Sequence, residues 1–321
     1  MDSTTADAPP PSDRDHIVPD PLLLLPLRQR IQERGLGVRA IHVHREGRPE
    51  VSHRWYENTW ENIYSVSKTV TALAVGIAIE EGLLDLEDHL TDVVPAPEGV
   101  TPGEGLDRIR LRHLITMTAG NPVLGFLDEE RLDPDVVSRF WSADLVREPG
   151  TGFEYSNLSI HMLARAVEHR AGVGLREYLM PRMFLPLGIL NPQWHTTADG
   201  HAWGATGLHL RSGELALIGR LLLQRGRWEE DQLVPADWID AMHAPQTWVE
   251  TGERNEAENV RYGYAVWDCS LPEAWRADGA YGQFLLILPD RRACVTITSH
   301  HEGGPTQEIL RAVYSELVPL L

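Results

Sequence analysis

The chain has 321 residues, about twice a usual domain, and 42% of them are hydrophobic, enough for one large domain with an insertion or for two domains. With 29 basic and 47 acidic residues the formal charge is −18, which argues against nucleic acid and anionic membrane as partners and reads as a solubility property. Two cysteines, Cys269 and Cys294, are too few for a disulfide framework, and no stretch approaches the ~18 apolar residues of a membrane span.

Residues 1–20, rich in Asp, Pro, Ser and Thr, read as a disordered leader without the basic and apolar segments of a secretory signal, so a soluble cytoplasmic protein is expected. Leu24 to Arg34 has helical periodicity and stops at Gly35. Val38–His44 reads as a strand, Glu46-Gly47-Arg48 as a turn, and Pro49–Tyr56 as a returning strand. A helix follows over Ser67–Leu84. Its stretch Thr71–Ile79 is apolar nearly all round, as in a helix buried inside a protein. Gly76 in its middle predicts close packing against a neighbour, and Gly82 ends it.

Residues 85–210 read as loops and helices, with helical pieces at Leu111–Thr118, Pro134–Phe140, Ser159–Ala171 and Leu175–Met183. Helices resume at Gly213–Gln224 and Pro235–His243, and Val249–Val260 reads as a polar surface excursion. Strands return at Tyr262–Cys269, Gln283–Leu288 and Ala293–Ser299, the last two joined by the turn Pro289-Asp290-Arg291-Arg292. Thr306–Leu317 closes the chain as an amphipathic helix. Both ends of the chain thus contribute strands, which predicts an α/β protein of α+β type. One five-stranded antiparallel sheet would be flanked by helices, with residues 21–84 and 211–321 forming the sheet domain and 85–210 an inserted all-helical subdomain.

Of the 29 basic residues, 28 are arginine; the one lysine, Lys68, stands in Ser65-Val66-Ser67-Lys68. Arginine keeps its proton in a protein, whereas a desolvated lysine can release it and act as a base. Ser65, three residues earlier, lies one helical turn away on the same face. That pattern suits a hydroxyl nucleophile activated by an amine, in contrast to an ordinary helix N-cap at Ser65. A second feature is Pro149-Gly150-Thr151-Gly152-Phe153-Glu154-Tyr155-Ser156-Asn157, a turn leading to Tyr-x-Asn and an apolar helix. Alone, Asn157 reads equally well as the cap of that helix.

Taken together, these motifs resemble the serine β-lactamase and penicillin-binding protein superfamily, in its class C-like branch, which also holds esterases, D-amino-acid peptidases, amide hydrolases and acyltransferases. The likeness runs over roughly residues 35–300 and includes Glu80–Asp88, Ile109–Gly120 and Leu185-Pro186-Leu187-Gly188-Ile189. The resemblance implies a β-lactamase/transpeptidase-like fold. It makes Ser65 the nucleophile that forms an acyl-enzyme and Lys68 the amine that helps remove its proton. Tyr155 becomes the proton shuttle, and Asn157 the residue holding the lysine and the substrate amide. Whether Lys68 or Tyr155 is the working base stays open at this point.

The family's third motif, Lys-Thr-Gly or His-x-Gly on the flanking strand, corresponds to Ala277-Asp278-Gly279-Ala280-Tyr281-Gly282-Gln283. With Gly282 as the motif glycine, Ala280 takes the cation position and Tyr281 the middle one. The groups that usually bind a substrate carboxylate are then missing, and neutral esters or amides are expected in place of efficient β-lactam chemistry. The N–H of Gln283 with that of Ser65 would form the oxyanion hole, and Tyr281 is expected to stack on substrate or to form a wall. No Gly-x-Ser-x-Gly elbow and no class A Glu-x-x-Leu-Asn element is present.

Fourteen histidines, among them His42, His44, His300 and His301, show no metal-ligand spacing. Neither metal nor organic cofactor is expected. His300 and His301 border the expected cleft, and Trp141 and Trp203 are candidates to line it. The expected activity is serine hydrolysis of a small-molecule ester or amide. An acyltransferase of the same constellation, or an acyl-binding sensor that does not turn over, are the alternatives.

Overall fold

The computed structural model describes residues 22–126, 132–251 and 258–321. The expected leader, 1–20, lies outside the described residues, as does the middle of the polar excursion at 252–257. Strands β1 (Val38–Arg45) and β2 (Val51–Arg54) come from the N-terminal part. Strands β3 (Val249–Glu250), β4 (Glu258–Tyr262), β5 (Trp267–Cys269), β6 (Trp275–Gly279), β7 (Gln283–Leu288) and β8 (Ala293–Ser299) come from the C-terminal part. They form one antiparallel sheet in the order β2-β1-β8-β7-β6-β5-β4-β3. Sequence-remote β1 and β8 close it, with Ile41 opposite Ile297 and Val43 opposite Val295.

Eight strands replace the five expected. The stretch Tyr262–Cys269 turns back on itself through Gly263–Val266, where Ala265 has φ 55°. It therefore supplies the end of β4 and all of β5. Strand β6 was not expected because it carries a buried Arg276 and a half-buried Asp278, and a charged strand reads as a loop. The edge pair Val249–Glu250 falls in the stretch expected as a surface excursion. Residues 85–210, expected to be all helical, also hold Gln193–Trp194 and Leu208–Leu210, which join Glu61–Asn62 in a small three-stranded sheet.

The apolar run Phe284-Leu-Leu-Ile-Leu288 is buried along its whole length because side chains alternate between two cores. Phe284, Leu286 and Leu288 face a cluster built with helices α1 (Leu25–Arg34) and α5 (Gln307–Glu316). Leu285 and Ile287 face the larger cluster, which holds α2 (Val66–Glu80), α3 (Asn157–Ala171) and α4 (Ser212–Leu223). Every residue of α2 from Val66 to Ala78 is buried. Gly76 lets the helix meet Trp238, whose indole would lie 2.2 Å from an added Cβ and whose Nε1 donates to Ala72 O at 3.0 Å. The helix ends in a left-handed Gly82 (φ 70°), with Gly82 N bonded to Ile79 O and Leu83 N to Ala78 O, both at 2.9 Å. Nothing in the described residues forms a helix long and apolar enough to cross a membrane. Cys294 is buried and Cys269 half-buried, and neither forms a disulfide among the described residues.

Candidate active site

Ser65 sits where the small three-stranded sheet hands over to α2. Ile63 N bonds Leu208 O at 2.9 Å, and Asn62 Oδ1 accepts from Tyr64 N at 2.8 Å. Tyr64 takes a left-handed φ of 47°, which turns the chain sharply and delivers Ser65 to the helix start. The Ser65 side chain makes no capping hydrogen bond. Its Oγ instead lies 2.8 Å from Lys68 Nζ.

Lys68 is 1% exposed, and its second hydrogen bond, also 2.8 Å, goes to Ala205 O. A carbonyl can only accept, so one N–H is committed there and the nitrogen's remaining capacity faces Ser65. Burial in this apolar setting penalises the ammonium and brings the Lys68 pKa down to about 7. The amine therefore changes protonation near neutral pH.

Tyr155 stands just before α3, with its ring centroid 4.9 Å from Lys68 Nζ, and it lines the same cavity as Ser65. Burial raises the Tyr155 pKa well above the ordinary phenol value, the neighbouring Ser65 hydroxyl opposes this, and the charge of Asp278 adds to it. The phenol keeps its proton at neutral pH. Its ring is fixed among Trp267 (5.8 Å, stacked), Tyr262 (5.9 Å, edge-on) and Phe126 (6.4 Å, stacked).

Asn157 begins α3, and its Nδ2 donates to Gly125 O at 2.7 Å. Lys68 Nζ bonds Ser65 and Ala205. The capping side chain of α3 belongs to Ser156, whose Oγ accepts from Ser159 N at 3.1 Å.

An open cavity of about 180 Å³ lies over Ser65 and is lined by Ser65, Tyr155, Trp267, Asp278, Gly279, Ala280 and Gln307. The strand end beside Ser65 is thus Asp278-Gly279-Ala280, within the stretch singled out from the sequence but centred on Gly279, three residues before the glycine chosen there. A Cβ on Gly279 would lie 2.6 Å from Ile63 O, so only glycine lets β6 press this closely on the segment leading into Ser65. Gly282, at φ 91°, turns the other way, toward Ile309 and Ser299. Gln283 is buried at the start of β7, with its side-chain amide bonded to the backbone of Ser299. Tyr281 occupies the hairpin tip with φ 62°. It stacks on His300 at 4.7 Å and lies 5.0 Å from the Tyr64 ring.

Trp141 and Trp203 are core residues, each 1% exposed; the tryptophan that lines the cavity is Trp267. His301 Nδ1 accepts from Gly37 N at 3.3 Å, and His42 bridges Glu50 (2.8 Å) and Ser212 (3.1 Å). Among the described residues no group of histidine, cysteine and carboxylate side chains could hold a metal. The sequence reading missed Trp267 and the Ala205 carbonyl; it included Asp278, Gly279 and Ala280 in the motif stretch but gave the glycine role to Gly282 and the cation position to Ala280. Only Gly279 offered a signal, as a second glycine three places from Gly282.

An antiparallel sheet backed on one side by a buried helix with Ser-x-x-Lys at its start, and facing a tyrosine from an inserted helical section, defines the β-lactamase/transpeptidase-like fold. EstCE1, described as a hydrolase with promiscuous acyltransferase activity, superposes with a TM-score of 0.71 at 18% identity, covering 92% of this chain and 99% of that one. The chain belongs to the β-lactamase family, whose model matches residues 27–318. A β-lactamase of Escherichia coli (strain K12) is 28% identical over 192 residues, 56% of this chain and 50% of that protein. A lovastatin esterase of Penicillium rubens is 29% identical over 154 residues, 41% of this chain and 38% of that protein. The chain spans half or less of the length of these curated relatives.

Proposed function

We propose that this protein is a serine hydrolase that cleaves a small ester or amide through an acyl-enzyme on Ser65. The observation that carries this reading is the 2.8 Å contact between Ser65 Oγ and a fully buried amine whose pKa is brought down to about 7. Neutral Lys68 takes the Ser65 proton as Oγ attacks the carbonyl carbon. Tyr155, a phenol protonated at neutral pH, then gives its proton to the departing alcohol or amine and is reprotonated by the Lys68 ammonium, which returns to the neutral amine. The same pair activates the water that releases the acyl group.

The N–H groups of Ser65 and Ala280 have no hydrogen-bond partner among the described residues. Ser65 lies at a helix start, where backbone donors are unpaired. We assign these two groups to the oxyanion hole, in place of the Gln283 N–H expected from the sequence. With Gly279 as the motif glycine, the cation position of the third motif is Ala277 and the middle position is Asp278. Neither attracts a carboxylate, which favours neutral or cationic esters and amides over penicillins. The esterase and the hydrolase named above are in keeping with such substrates.

The test is p-nitrophenyl acetate and nitrocefin turnover, with mass-spectrometric mapping of a fluorophosphonate label. The expected result is ester turnover exceeding nitrocefin turnover, label on the Ser65 peptide, and a loss of about 10³-fold or more in Ser65→Ala. Absence of both label and ester turnover would overturn the proposal.

A further inference from the structure

Asp278 is placed where the proposed reaction gives it no task. It lines the cavity beside Ser65 and Tyr155, and among the described lining residues it is the one with a charged side chain. Arg276, two residues earlier on the same strand face and 0% exposed, reaches its Oδ2 with Nε and Nη2 at 3.3 Å each. Oδ1 has no hydrogen-bond partner among the described residues. A carboxylate oxygen accepts only, and on this half-buried side chain, 19% exposed at the cavity, it is open to a donor that enters there.

The rest of the wall suits the same visitor. The rings of Trp267 and Tyr155 line the cavity and stack on each other at 5.8 Å, and aromatic faces attract cations. A chain of net charge −18 draws cations to its surface and repels carboxylates. A neutral hydroxyl or amide donor would satisfy Oδ1 but would gain nothing from the ring faces or the charge.

We infer that Asp278 is a specificity-determining residue that receives a protonated amine carried by the substrate, so that amine-bearing esters or amides are preferred over their uncharged isosteres. This rests on the hydrolase reading above, and its test separates the two. Turnover is compared for ethyl esters of glycine, propionate and hydrogen malonate, which carry a cation, no charge and an anion on the acyl side. 2-(Dimethylamino)ethyl acetate and 3-methylbutyl acetate form the matching pair on the leaving-group side. Binding of the same esters to Ser65→Ala protein is measured by calorimetry, without turnover.

The cationic member of at least one pair is expected to exceed its isostere about tenfold in kcat/KM or in affinity, as for a charge-assisted hydrogen bond. In Asp278→Asn that ratio is expected to fall toward one, with the malonate ester gaining relative to glycine. A wild-type ratio near one, or a ratio kept in Asp278→Asn, overturns the inference; should that variant fail to fold, the wild-type ratio decides. Charge-selective binding without turnover would sink hydrolysis and leave this inference standing, and turnover without charge preference would do the reverse.

Discussion

Lys68 works against the fold that holds it. Its hydrogen-bond partners are the oxygens of Ser65 and Ala205, neither of them a full charge. An ammonium in that setting is poorly compensated. The unfolded chain holds this proton up to the ordinary lysine value of 10.5, the folded chain only to about 7. Between those values the unfolded state binds more protons, so stability rises with pH, and the penalty is complete below about pH 7. Its size is on the order of 4–5 kcal/mol at about 1.4 kcal/mol per pH unit. Lys68→Met removes this titration. Urea midpoints of wild type and Lys68→Met should therefore converge on the wild type's side as pH rises from 7 to 10, the wild type gaining several kcal/mol relative to the variant. A difference independent of pH would show that the amine titrates normally. The same proton governs the proposed chemistry: ester kcat/KM should fall on the acid side of about pH 7, and Lys68→Arg should restore no activity at any pH, because guanidinium stays charged. At this scale the site was readable where spacing along the chain decides geometry. Ser65 and Lys68 meet because residues i and i+3 share a helix face. The Ala205 carbonyl, 137 positions away, left no local mark.

Helix α2 gives up intrinsic helix propensity to gain contact. Replacing Gly76 by alanine gains about 1 kcal/mol in a free helix. Here the new methyl would lie 2.2–2.4 Å from three atoms of the Trp238 ring. That ring is buried and tied to Ala72 O through Nε1, so it cannot swing aside without breaking a bond. Gly76→Ala should therefore lower stability by about 1–3 kcal/mol, as overpacking does. Chemical denaturation checks the sign, and a stabilised variant would mean that the indole is free to move. The tight packing at Gly76 was anticipated from an apolar helix with a glycine in its middle. Strand β6 was not, for the opposite reason. Its Arg276–Asp278 pair imitates the composition of a loop, and the partner charges that make burial tolerable meet only in the folded sheet. With β6 unread, the glycine register of the flanking strand slipped from Gly279 to Gly282. The reading proposed above, with Gly279 in that role, rests on the 2.6 Å approach to Ile63 O, which no local pattern in the sequence announces.

Across the whole molecule, the sharing of one sheet by both ends of the chain was legible because the segments that read as strands lie near those ends, and a single sheet is the economical way to bury both; that β1 pairs with β8 came only from the structure. Net charge acts at the same scale. A surplus of 18 negative charges repels itself in the compact state. Against this stand ion pairs at the surface, such as Arg30–Glu316 and Arg108–Glu148, with Arg108 and Glu148 both more than half exposed. Exposed pairs contribute about 0–1 kcal/mol each and are already weakened by water. Self-repulsion involves every carboxylate at once and reaches about 30 Å at 0.01 M salt but only about 8 Å at 0.15 M. Screening should therefore relieve more repulsion than it costs in attraction. The melting temperature at neutral pH should rise by about 2 °C or more between those two salt concentrations, 1 kcal/mol being worth about 2–4 °C at 150–250 residues and less in a longer chain. Calorimetric scans in sodium chloride and in choline chloride measure this. Equal rises in both salts are the mark of screening, a rise in one alone would indicate a bound ion, and a fall in both would mean that the surface pairs outweigh the surplus charge.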